Sequence, residues 1–120
     1  MEFYNLPAYN KARQLAAQLI QSTQKVPRDI KFTYVRDAIL VAMRIMEYTA
    51  FANETLEQRA AYLQMAINDV HAVMIKVRIM YDLRHISRKG YNSITKLEGQ
   101  LESQLVGWHK STLEQINKSR

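Results

Sequence analysis

Apolar residues fall along this chain at helical spacing almost throughout. The longest such run is Thr55 to Arg84, thirty residues without glycine or proline. Within it Leu63, Ala66, Ile67, Val70, Val73, Met74, Val77, Met80 and Tyr81 repeat at i, i+3, i+4 and i+7, the signature of one buried helical stripe. Thr55 and Gln58 are spaced as a capping box, in which a hydroxyl and an amide satisfy backbone donors at a helix start. This spacing predicts a helix over about 56–85. At about 1.5 Å per residue it would run about 45 Å, too long to bury its apolar face without other helices beside it.

The rest of the chain supplies those helices. Tyr9, Ala12, Leu15, Ala16, Leu19, Ile20 and Thr23 predict a helix over about 7–25. Pro7 suits its first turn, where the missing N–H is not needed, and Val26-Pro27 is expected to stop it. Arg28 to Phe32 reads as a connection, with Thr33 as N-cap and Asp37 near the positive end of the next helix. That helix, over about 34–52, carries Ala38, Ile39, Val41, Ala42, Ile45, Met46, Thr49 and Ala52. Its apolar arc is wider than one core requires, so two packing faces are expected. Ser87 is available as a cap after the long run. Tyr91, Ile94, Leu97, Leu101, Leu105 and Trp108 then predict a last helix over about 88–117. Four long helices, short connections and no alternating strand pattern predict an all-α, antiparallel, up-down four-helix bundle forming a single domain over residues 1–120.

Composition narrows the chemistry. With no cysteine among 120 residues, disulfides, zinc-thiolate sites and a cysteine nucleophile are excluded. No apolar run approaches the roughly 20 residues of a membrane span, and no hydrophobic leader is evident, so a cytoplasmic protein without a membrane partner is expected. His71, His85 and His109 lack the companions of a known metal motif, and Asp69 and Asp82 read as isolated, so no metal and no cofactor are expected. There is no glycine-rich phosphate loop and no nucleophile elbow, which argues against an enzyme.

Charge is more informative. Seventeen Lys and Arg against eleven Asp and Glu give a net charge of +6, which draws a small domain towards polyanions. Arg36 and Arg44 lie eight apart on the second helix and Lys76 and Arg84 eight apart on the third, while Arg84, His85, Arg88 and Lys89 cluster at the following turn. Phosphate binding needs clustered cations more than a fixed motif. Arg78 has Asp82 one helical turn away as an alternative partner. Gly99 and Gly107, eight apart beside Trp108, mark a face where another backbone could approach, within the bundle or from a neighbouring subunit.

Several short blocks also resemble one family. They are Leu6-Pro7-Ala8-Tyr9-Asn10-Lys11, Arg28-Asp29-Ile30-Lys31-Phe32-Thr33, Tyr48-Thr49-Ala50-Phe51-Ala52-Asn53, Val77-Arg78-Ile79-Met80-Tyr81-Asp82-Leu83 and Gly107-Trp108-His109-Lys110-Ser111. Together they resemble the accessory variability determinant (Avd) proteins of diversity-generating retroelements, which are akin to the four-helix bundles encoded in intervening sequences of bacterial 23S rRNA genes. The resemblance implies a basic, non-enzymatic homo-oligomer, most often a pentamer, that binds the retroelement's reverse transcriptase and nucleic acid and supports mutagenic cDNA synthesis from a template-repeat RNA. It also implies roles for Arg28, in the first connection, and Arg78, in the third helix. Asp29-Ile30 departs from the acidic-aromatic pair common in the family. The alternative expectation is a structural oligomer of the rRNA-linked kind, without a polymerase partner.

Overall fold

The computed structural model describes residues 2–120. Four long helices account for most of them: α1 (Pro7–Ser22), α2 (Arg36–Glu54), α3 (Leu56–Asp82) and α4 (Arg88–Lys118). No strand occurs among the described residues. Each helix packs on its neighbours in sequence, and α4 closes the ring against α1. The bundle measures 53 × 21 × 20 Å, its length matching the roughly 46 Å that the 31 residues of α4 span at 1.5 Å each.

Named contacts show the up-down arrangement. At one end Ser22, the last residue of α1, lies against Gly90 in the first turn of α4. Tyr34, just before α2, there hydrogen-bonds His85, just after α3. Near the opposite end Arg59, in the first turn of α3, donates from Nε to the Ala52 carbonyl of α2 at 2.8 Å and places its guanidinium 5.7 Å from the Trp108 ring centre on α4. Leu6, Pro7 and Ala8 at the start of α1 line a groove with that same Trp108. Successive helices therefore run in opposite directions. The core between them is built from the expected stripes, with Leu15, Leu19, Ile45, Leu63, Val70, Val73, Met80, Ile94, Leu101 and Leu105 wholly buried.

The helix ends differ from the expected ones for identifiable reasons. α1 stops at Ser22 rather than near Lys25. The Thr23 and Val26 N–H groups bond three residues back, to the Ile20 carbonyl at 3.3 Å and the Thr23 carbonyl at 3.2 Å, tightening the chain out of the α-helix. The stretch read as a connection is helical: an α turn at Arg28–Ile30 leads into a π-helical segment, Lys31–Val35, and directly into α2. Thr33 therefore caps nothing and donates to the Ile30 carbonyl at 2.6 Å. Thr55 is the N-cap of α3, but its side chain makes no capping hydrogen bond, so the capping box is not formed. Pro7 opens α1 and Ser87 caps α4 as expected, Ser87 Oγ accepting from the Gly90 N–H at 3.0 Å.

The helix α3 ends at Asp82 in a left-handed turn. The His85 N–H reaches back to the Met80 carbonyl at 2.8 Å, and the Arg84 N–H to that of Tyr81 at 3.0 Å. This is the paired bonding of a Schellman motif. Its left-handed position is usually glycine but here is Arg84, with φ 60°, the only positive-φ residue described. An L side chain in that conformation costs about 1 kcal/mol relative to glycine.

Candidate nucleic-acid interface

The cations singled out by sequence divide into two groups. Arg44, Lys76 and Arg78 are engaged. Arg44 forms a bidentate pair with Asp69, Nε to Oδ2 and Nη2 to Oδ1 both at 2.8 Å. Asp69 faces the α2–α3 seam with only 8% exposure, and this hydrogen bond raises the Arg44 pKa further. Lys76 Nζ lies 3.4 Å from Asp37 Oδ2, again bridging α3 to α2. Arg78 pairs with Asp82 at 3.1 Å, donates to the Tyr91 hydroxyl at 3.5 Å and stands over the Tyr81 ring. Neither Asp69 nor Asp82 is isolated, as sequence had implied. Each already neutralises an arginine.

Arg28, Arg36, Arg84, Arg88 and Lys89 are exposed and form no ion pair among the described residues. Arg28 stacks over Phe32, 5.4 Å from the ring centre. Arg84 and Arg88 flank the α3–α4 turn and line one concave surface at that end of the bundle, which Lys25 enters from beyond α1. His85 lines it too. Sequence reasoning missed Lys25, because nothing local shows that the segment after α1 returns to the α3–α4 turn. Tyr34 closes the back of this region through its bond to His85 Nδ1. Burial raises the pKa of the Tyr34 phenol, so the hydroxyl keeps its proton.

Of the two approaches expected at the glycines, the one within the bundle is not made. Gly99 and Gly107 are exposed, and a Cβ at either would meet nothing within 4 Å, so no backbone of this bundle approaches them. The close approach is at Gly90, where a Cβ would lie 3.0 Å from Ser22 Oγ. Trp108 is partly buried against the core, beneath Arg59.

Two further features matter. The outer side of α2 and its lead-in leaves Phe32, Leu40, Met43 and Phe51 exposed, and Phe3, Tyr9 and Met46 share a groove with the last three. Glu98 on α4 is 1% exposed, and neither carboxyl oxygen has a hydrogen-bond partner. Burial, helped by Glu102 one turn on, raises its pKa to about 8. His71 Nε2 meets Glu102 at 3.2 Å, but no three His, Asp or Glu side chains among the described residues gather as a metal set. No described helix is long and apolar enough to cross a membrane.

Compared with protein-family models and with curated proteins, the chain matches none.

Proposed function

We propose that this protein is a non-enzymatic accessory factor that binds nucleic acid and the reverse transcriptase of a diversity-generating retroelement, supporting cDNA synthesis from a template-repeat RNA in the cytoplasm. The observation that carries the nucleic-acid part is the set of cations at the α3–α4 end, Arg84, Arg88 and Lys89, exposed and without carboxylate partners. Like charges crowded at one end of a small basic domain repel one another, and a polyanion offsets that repulsion. The polymerase and retroelement part rests on the short sequence blocks that resemble the Avd family. The exposed apolar side of α2 supports the oligomeric state implied by the same resemblance, a pentamer, in which Gly99, Gly107 and Trp108 would face a neighbouring subunit.

Contacts to phosphates dominate this mode of binding, and no element is arranged to read base edges, so affinity should depend steeply on salt and weakly on sequence. Titration of single-stranded RNA at several salt concentrations tests the reading. With three phosphates met per subunit, the slope of log K against log salt should be about −2 or steeper. Binding that does not change with salt would overturn it. Oligomerisation without a polymerase partner is the second reading, favoured by the apolar side of α2. A reverse-transcriptase reading frame with template and variable repeats beside the gene separates the two.

A further inference from the structure

The concave surface at the α3–α4 end is chemically one-sided. Lys25, Arg84 and Arg88 come to it from three separate segments, and no Asp or Glu lines it. Its two serine hydroxyls already act as acceptors. Ser22 Oγ takes a hydrogen bond from Gln18 Nε2 at 2.9 Å, and Ser87 Oγ takes the Gly90 N–H at 3.0 Å. Each therefore has its own proton left to give. The His85 ring also lines the wall, with Nδ1 hydrogen-bonded to Tyr34. The charged and hydroxyl groups of this wall are cations or donors.

The placement of Arg84 is a separate observation. It occupies the left-handed position of the Schellman turn, where glycine would be free of strain. Local strain of this kind marks positions where the side chain serves something other than the fold. Three cations on one surface suit a dianion better than a carboxylate, which brings one charge. A tetrahedral phosphate also has enough oxygens to take several donors together.

We infer that this pocket binds a phosphate monoester, held by Lys25, Arg84 and Arg88 and hydrogen-bonded by Ser22 and Ser87. The inference deepens the nucleic-acid reading and rests on it for the source of the group, a terminal phosphate of a polynucleotide. A free small phosphate carries the same chemistry.

The test compares single-stranded RNA oligonucleotides bearing a 5′-phosphate or a 5′-hydroxyl, with a hydroxyl-ended oligonucleotide two nucleotides longer as the control for the two charges a terminal phosphate adds. Inorganic phosphate serves as competitor at constant ionic strength. The 5′-phosphate should tighten binding roughly tenfold over both hydroxyl forms, the difference one charge-assisted contact set makes. Arg84→Gly should erase that preference while the melting temperature holds or rises, since glycine relieves the left-handed strain, and Lys25→Gln should weaken it without unfolding. Equal affinity for the three oligonucleotides together with no competition by inorganic phosphate would overturn the pocket while leaving salt-dependent RNA binding intact. Full preference retained by Arg84→Gly would overturn it as well. Direct binding of inorganic phosphate, read by calorimetry, without any RNA binding would keep the pocket, assign it to a small phosphate, and remove the nucleic-acid reading instead.

Discussion

Glu98 lies in register with the core of α4, four residues after Ile94 and three before Leu101, both fully buried. Helical spacing alone places it inward. An apolar stripe read by residue type passes over it, and so the sequence expectation missed the most buried carboxylate in the bundle. Its two oxygens lack partners, and burial favours the neutral acid, raising the pKa from an ordinary 4.5 to about 8. The folded state then holds a proton that the unfolded chain has released. Stability contributed by this proton is complete below about pH 4.5 and falls as pH rises towards 8, where the loss levels off. Glu98→Gln should therefore raise stability at pH 8 by about 2 kcal/mol and flatten this decline, as measured by urea unfolding across pH. An unchanged slope would show that Glu98 is hydrated in solution. Asp69 offers the opposite case. It is also in a core register, three residues after Ala66 and four before Val73, but Arg44 neutralises it from α2. Asp69→Asn removes the charge and one side of the fork, and should cost about 1–2 kcal/mol given that Arg44 is half exposed.

At the scale of elements, all four helices were legible because their apolar periods are long and uninterrupted. The Ser87 cap was legible because cap chemistry there is local. The segment Lys31–Val35 was not. A π turn adds a residue to the helical turn, and here Val35 is buried while Phe32 is left outside. Tyr34 in that segment pairs with His85, fifty-one residues on, and local propensity carries no trace of so distant a partner. The end of α1 was misplaced by a few residues: Val26-Pro27 is a visible stop, but from Thr23 the backbone already bonds three residues back rather than four. Packing of α4 against its neighbours rests on Leu101, which is wholly buried. Leu101→Ala should destabilise the protein by about 2–5 kcal/mol by chemical denaturation. Leu40 and Met43 are exposed on the outer side of α2 at 53% and 46%. Replacing both with glutamate should leave helicity intact. If that side joins subunits, sedimentation should show dissociation, and an unchanged oligomer would move the interface elsewhere.

The whole molecule is a basic rod with cations along its length, and Lys25, Arg84, Arg88 and Lys89 come together at one end of it. Pairing accounts for Arg44, Lys76 and Arg78, each held by a carboxylate. Sequence could not sort these from the rest, since only the Arg78–Asp82 partnership lies within one helix. The cluster at the α3–α4 turn was visible because it is contiguous, whereas the contribution of Lys25 required the fold. Nucleic-acid binding through this end is the central claim, and reversing its charge tests it most directly. The double variant Arg84→Glu with Arg88→Glu should keep the helical signal and oligomer size of the parent protein. Its affinity for single-stranded RNA at fixed low salt should fall at least a hundredfold, as two attractive contacts become repulsive. An intact double variant that binds RNA as tightly as the parent would contradict the account and move the interface to another face, with Arg28 and Arg36 as the next cations to reverse.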